Sequence, residues 1–221
     1  MRINKYLAKA TGLSRRAADK IIAEGRVRVD GQTPEQGQDI LGSEQVTIDG
    51  ESISLVQDVT IMMNKPVGFV CSRKGQGSRT IYELLPEKYQ NLKSIGRLDK
   101  ESSGLILLTS DGDLANELTH PSHAKQKRYL ISLNKPLEPL HQQMVSDVGI
   151  MLEDGPSKLI LHKSSDDRTD WEVVMSEGRN RQIRRTFESI GYKVIALHRT
   201  TFANYKLGEL APAQIKEINN Y

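Results

Sequence analysis

The chain has 221 residues, of which 37% are hydrophobic and 27% charged, and its formal net charge is +3. This composition fits a soluble globular protein and excludes a helical membrane protein, since no apolar run approaches the roughly 20 residues a spanning helix needs. A single cysteine, Cys71, excludes an internal disulfide and a multi-cysteine zinc site. Within GFVCS (68–72) it reads as a small buried hydrophobe. The N-terminal MRINKYLAKA has no apolar core of signal-peptide type, so a cytoplasmic protein is expected.

The charge is uneven. Arg2, Lys5, Lys9, Arg15, Arg16, Lys20, Arg26 and Arg28 stand against only Asp19 and Glu24 in residues 1–28, which leaves the rest of the chain slightly acidic. A basic end on a near-neutral body suits a polyanion-binding module, although basic residues also simply solvate helices. Ile3, Leu7 and Ala10 share one helical face, and Gly12 ends that helix. Ser14 suits the N-cap of a second helix over about 15–24, with Ala17, Ala18, Ile21 and Ile22 as its apolar stripe and Gly25 just past its end. RVRVDG (26–31) then reads as a short strand running into a turn, and VTIDG (46–50) repeats the signal.

The segments RINKYL (2–7), LSRRAAD (13–19), IAEGRV (22–27) and VDG (29–31) together resemble the ribosomal-protein-S4-type RNA-binding domain. The resemblance implies such a domain over residues 1–57, with Lys5, Arg15, Arg16, Lys20, Arg26 and Arg28 as RNA-binding residues. That domain grips RNA in unrelated proteins and names no reaction.

Residues 56–60 form the expected boundary, and a second domain over 61–221 follows. IMMNK (61–65) predicts a strand, a Pro/Gly turn follows, and GFV (68–70) predicts a second strand. Residues 75–79 read as a polar loop and 80–85 as a short helix stopped by Pro86. Further strands are predicted at 105–108, 129–133, 157–162, 171–175 and 193–197, and helices at 113–119, 140–148 and 180–190. The whole is α+β: a small N-terminal α/β domain, then a catalytic domain on a largely antiparallel mixed sheet with flanking helices.

Three segments of the second domain carry candidate chemistry. GRLDKESSGL (96–105) sets Asp99 in a Gly- and Ser-rich loop before an apolar strand. Loops held by a rigid sheet commonly carry catalytic groups, but a turn aspartate capping its own loop has the same pattern. KRY (127–129) opens a strand with Tyr129, which taken alone reads as half-buried packing with its hydroxyl at a surface. EGRNRQIRR (177–185), if it opens a helix, puts Arg181, Arg184 and Arg185 together as an anion site or a solvated basic face. Glu188, four residues after Arg184, offers that arginine an intrahelical partner.

Together with NKPVG (64–68), LTSDGDLA (108–115) and EDG (153–155), these segments resemble the pseudouridine synthases that modify ribosomal RNA, in the branch with this N-terminal domain. The resemblance spans nearly the full length. It implies that Asp99 is the essential aspartate, Tyr129 the aromatic that packs on uracil, and Arg184 the arginine that pairs with the aspartate. It also implies substrate-binding roles for Arg97, Ile183, Arg181 and Lys65. No metal and no cofactor are expected, because the product is an isomer of the substrate, and His120 and His123 read as loop residues. The expected partner is ribosomal RNA or a pre-ribosomal particle, and the expected state a monomer. EGRNRQIRR is closer to the branch acting on 23S rRNA than to the small-subunit branch. Action on 16S rRNA and a non-catalytic RNA-binding assembly factor are the alternatives. A glycoside hydrolase would need a second catalytic carboxylate, for which Glu101 is the nearest candidate. The sequence departs from the family after LHRTTF (197–202), where ANY (203–205) and GELAP (208–212) replace a Gly-containing turn and a longer final segment.

Overall fold

The computed structural model describes residues 1–218, the side chain of Pro121 apart, so the last three positions of the second predicted domain lie outside the described residues. The chain divides into two compact units, Met1–Val59 and Thr60–Tyr221. None of the described helices is long and apolar enough to cross a membrane.

In the first unit, helix α1 (Ile3–Thr11) ends where Gly12 turns left-handed, a conformation that costs glycine no steric clash. Helix α2 (Arg15–Ala23) is capped by Ser14, whose hydroxyl accepts the Ala17 N–H at 3.1 Å. Strands β1 (Val27–Val29), β2 (Val46–Ile48) and β3 (Glu51–Ile53) form an antiparallel sheet in the order β1-β2-β3. Asp49-Gly50, both at positive φ, make the tight turn between β2 and β3. Ile3, Leu7, Ala18, Val27 and Val46 form the small core.

The second unit opens with β4 (Thr60–Lys65), buried at all six positions. Two 3-10 turns, Ile81–Leu84 and Glu87–Tyr89, lead to β5 (Lys93–Ile95) and β6 (Ser103–Thr109). Helix α3 (Gly112–Thr119) is capped by Asp111, whose carboxylate accepts the Asp113 and Leu114 N–H groups. Then come β7 (Lys127–Leu133), helix α4 (Pro139–Gln143) running into a π-helical turn (Met144–Val148), and the hairpin of β8 (Ile150–Leu152) and β9 (Gly155–Ser157). Strands β10 (Ile160–Lys163) and β11 (Asp170–Met175), helix α5 (Gln182–Glu188), and strands β12 (Val194–Phe202), β13 (Tyr205–Lys206) and β14 (Ile215–Ile218) complete the unit.

The main sheet runs β10-β11-β7-β12-β6-β4-β14, with β5 beside β6 and β13 beside β12. Among the described strands of this sheet only β12 and β6 pair parallel, so the sheet is mixed and largely antiparallel as expected. One row of paired residues crosses it: Val173 on β11, Tyr129 on β7, Arg199 on β12, Gly104 on β6 and Lys65 on β4.

Three sequence expectations fail here. The second strand at 68–70 is absent: Val70 makes a single bridge to Thr80, and Gly68 turns the chain at φ 93°. Residues 157–162 do not form one strand, because Ser157 pairs with Ile150 in the hairpin while Ile160 pairs with Val174 in the main sheet. Helix α5 covers only 182–188, since Arg181 adopts a left-handed conformation (φ 46°) and cannot belong to a right-handed helix.

Candidate active site

A cleft of about 560 Å³ opens in the second unit, and Arg97, Asp99, Tyr129, Arg181, Ile183 and Arg184 all line it. Six residues proposed from three separated segments therefore meet in one place. Tyr129 and Ile183 are buried side chains that form apolar walls. Asp99 and Arg181 are partly exposed at the rim, and Arg97 is exposed.

The loop that carries Asp99 is held from below. Lys65 was expected to contact substrate. It is instead fully buried, and its ammonium donates to the carbonyls of Pro66 (3.1 Å), Asp99 (3.0 Å) and Ser102 (2.6 Å). All three donors are used, so Lys65 fastens the Asp99 loop to β4 and does not line the cleft. Burial pushes its pKa down, while the charges of Cys71, Asp99 and Glu101 oppose that shift. Cys71 is buried beside the same loop, its sulfur 3.3 Å from both the N and the O of Leu98. Burial raises its thiol pKa, which fits the inert role expected.

The arginine pairing also differs from expectation. Arg181 faces Asp99 at 3.7 Å and Glu101 at 3.1 Å. Arg184 makes no ion pair with Asp99 among the described residues. It donates to Val194 O (2.6 Å) and Glu101 O (3.1 Å), bridging β12 and the Asp99 loop. Burial and the like charge of Arg181 lower its pKa, and Asp99 and Glu101 pull the other way. The alternative partner Glu188 is not used. Arg185 turns aside to Asp154 at 2.7 Å, so the expected trio of guanidiniums reduces to two.

Glu101 fails as a second catalytic carboxylate. A glycosidase general acid needs a raised pKa. Its own backbone N–H holds the Glu101 carboxyl below the usual range, with Arg181 adding to that effect and desolvation opposing it.

Sequence reading missed the frame around the cleft. Lys127 caps the carbonyls of Lys125, Ser176 and Glu177 at 3.2–3.3 Å. Arg179 reaches the carbonyls of Asp154, Gly155 and Pro156 and the Asp154 carboxylate, tying EGRNRQIRR to the β8–β9 hairpin. Gln182 is buried and donates to Ser157 Oγ at 3.1 Å and to Glu177 Oε1. A hint was available: polar residues amid apolar ones are retained in a core only when hydrogen-bonded. The candidate RNA residues of the first unit divide as well. Arg15, Arg16 and Lys20 are exposed on α2. Arg26 is forked onto Asp49, Nη2 to Oδ2 at 2.5 Å, and Arg28 donates to Thr33 Oγ1. His120 and His123 bond Ser122 Oγ and Glu117 O at 2.7 Å in the turn after α3, as loop residues do.

Comparison with known proteins gives the family. The family model for RNA pseudouridylate synthase matches residues 59–189, and that for the S4 domain matches residues 1–46. The chain belongs to the RNA pseudouridylate synthase family. It is 34% identical to the ribosomal large subunit pseudouridine synthase B of Bacillus subtilis, over 98% of this chain and 91% of that one. It is 35% identical to the ribosomal small subunit pseudouridine synthase A of Pasteurella multocida, over 99% and 96%. Among solved structures, one described as a pseudouridylate synthase superposes with a TM-score of 0.69 at 30% identity, covering 99% of this chain and 96% of the other.

Proposed function

We propose that the protein isomerises a uridine of ribosomal RNA to pseudouridine, and that the target lies in 23S rRNA. The observation that carries this reading is the convergence of Asp99, Tyr129, Arg181 and Arg184 on one cleft. The preference for 23S rests on the segment EGRNRQIRR; relatives named for each subunit are equally similar.

The reaction breaks the C1′–N1 bond of uridine, turns the uracil and joins C5 to C1′. The target nucleotide must first leave its stack, at a cost of a few kcal/mol. Basic residues of the first unit, Arg15, Arg16 and Lys20 above all, offset that cost by holding neighbouring phosphates. Cleavage builds positive charge on the ribose, which the Asp99 carboxylate stabilises. Arg181 orients the carboxylate, Arg184 fixes its loop, and the Tyr129 ring holds the detached base by stacking. The chain acts as a cytoplasmic monomer without a cofactor.

The test maps pseudouridine at single-nucleotide resolution across both rRNAs in cells lacking the gene and complemented with wild type, Asp99→Ala or Asp99→Asn. One 23S site should vanish in both variants and return with wild type. A 16S site would move the assignment to the small subunit. Identical maps in all strains, with the protein still bound to ribosomal particles, would replace the enzyme with an assembly factor.

A further inference from the structure

Arg199 has no role in the scheme above, yet it stands in the row of residues that builds the cleft. It pairs with Tyr129 across β12 and β7 and with Gly104 across β12 and β6. Directly paired residues present their side chains on the same face, about 5 Å apart. Tyr129 and Arg199 therefore rise side by side, and both line the cleft. Gly104, at φ 103°, brings no side chain to the other flank, and a Cβ there would lie 2.3 Å from Arg199 O.

Arg199 is 2% exposed. Its Nε donates to Leu105 O at 2.8 Å, and the guanidinium lies 5.0 Å from the Phe202 ring centroid. Its Nη2 is buried and has no acceptor among the described residues. No carboxylate of the described residues forms an ion pair with it. A buried charge is normally paired, because an unpaired one is strongly disfavoured. The titratable groups that feel its field are the cations Lys65 and Lys127, both already spent on backbone carbonyls, and the Cys71 thiol, whose pKa burial raises. Arg179 and Arg184 also line the cleft with a buried Nε that lacks an acceptor, but both use their two terminal nitrogens. The only side-chain hydrogen bond of Arg199 among the described residues is from Nε, which leaves its terminal nitrogens as spare donors in the wall.

We propose that Arg199 is a catalytic residue that binds a carbonyl oxygen of the flipped uracil and stabilises the uracil anion as the C1′–N1 bond breaks. The inference rests on the pseudouridine synthase reading. The electron pair of the broken bond leaves with the base and spreads from N1 onto the C2 and C4 oxygens. A donor already in position gains strength as that charge develops, which is what lowers a barrier. The ring then turns about its N3–C6 axis, and C5 bonds to C1′. C5 gives up its proton to a base, and N1 takes one, so the product is an isomer. That rotation exchanges N1 with C5 and the C2 carbonyl with the C4 carbonyl. A single guanidinium that binds one oxygen before the turn meets the other after it, and serves both halves of the reaction.

The test uses the full-length protein on transcripts of 16S and 23S rRNA and on isolated subunits, with single-turnover rate, RNA affinity and melting temperature measured for each variant. Arg199→Met should lose about 10²–10³-fold in rate, the range for removing one transition-state donor, with RNA affinity within about twofold of wild type. Arg199→Lys, which keeps the charge, should recover at least about tenfold of that loss. Added guanidinium should restore activity to Arg199→Ala where sodium at equal ionic strength does not. If the Met variant does not fold, the Lys variant and the guanidinium rescue decide. A folded Lys variant as slow as the Met variant, with no rescue of Ala, would make Arg199 a packing residue and overturn the proposal. So would a Met variant within tenfold of the wild-type rate. Wild type that makes no pseudouridine on any substrate removes the enclosing reading, and the wild-type control alone identifies that outcome.

Discussion

The ammonium of Lys65 lies 3.0 Å from the backbone carbonyl of Asp99 and 2.6 Å from that of Ser102, so the residue proposed to carry the reactive carboxylate is held directly by its main chain. Lys65→Met keeps the aliphatic stem and removes all three donors. The Asp99 carbonyl keeps the Ser102 N–H, but those of Pro66 and Ser102 lose the ammonium at about 1–3 kcal/mol each, so stability should fall by about 2–6 kcal/mol in urea unfolding. The loop would also lose its register against β4. Misplacement of a catalytic group by about 1 Å can cost roughly 10²-fold, so turnover should fall on that order. RNA affinity should stay within a few-fold, because Lys65 never reaches the cleft. An equal loss of affinity and turnover would contradict the positioning role.

Arg181 and Arg184 should separate in mutants. Arg181 is a rim residue facing two carboxylates, whereas Arg184 joins Val194 to the loop at Glu101 through its two terminal nitrogens. Lysine has one charged nitrogen and cannot reproduce that span. Arg184→Lys should therefore lower both the melting temperature and turnover, the latter by about 10²-fold. Arg181→Ala should leave the melting temperature unchanged, since exposed ion pairs are worth at most about 1 kcal/mol. Its turnover should fall by roughly tenfold at most. Thermal melts with single-turnover kinetics distinguish the two patterns, and a reversed order would sink the assignment.

How much of this was legible beforehand depended on whether local pattern or distant partners decided each feature. Ser14 as a cap, Gly12 and Gly25 as helix ends, and the apolar run at 105–108 were readable because a few neighbouring residues determine them. Residues 157–162 misled because nothing local reveals that Ser157 and Ile160 take partners in different sheets. Lys65 misled for a similar reason. Its burial depends on β6 and the Asp99 loop, which approach only in the folded chain. Arg181 was placed in a helix by its neighbours, but its φ of 46° swings its side chain toward Asp99 and leaves Arg185 to Asp154.

The basic residues of the first unit should differ in their weight on RNA. Removing one phosphate-binding charge reduces the slope of log affinity against log salt by about one unit on duplex RNA or DNA and somewhat less on single strands. Arg15→Ala and Arg16→Ala take exposed charges off α2 and should each flatten the slope by about that amount. Arg26 is engaged with Asp49, which raises the pKa of its guanidinium and lowers that of the aspartate. Arg26→Ala should change the slope by much less. Filter binding across a salt series checks this, and equal slopes for all three variants would mean that Arg26 leaves Asp49 for phosphate.

His198 gives the fold a testable pH dependence near neutrality. It lies on β12 beside Arg199, and its Nδ1 is 2.9 Å from the hydroxyl of Ser103, at the start of the strand that follows the Asp99 loop. Burial lowers its pKa from the ordinary 6.5. The unfolded chain therefore takes up its proton at a higher pH than the folded one. Between the folded pKa and about 6.5 the unfolded state binds more protons, so stability rises with pH across that window and is lost as pH falls through it. Below the folded pKa both states are protonated and the dependence levels off. His198→Asn retains a polar side chain beside Ser103 and removes the titration. The difference in unfolding midpoint between wild type and variant should shrink or reverse in favour of the variant as pH is lowered from 7.5 to 5. A difference that stays constant over that range would show that His198 titrates alike in the folded and unfolded chains.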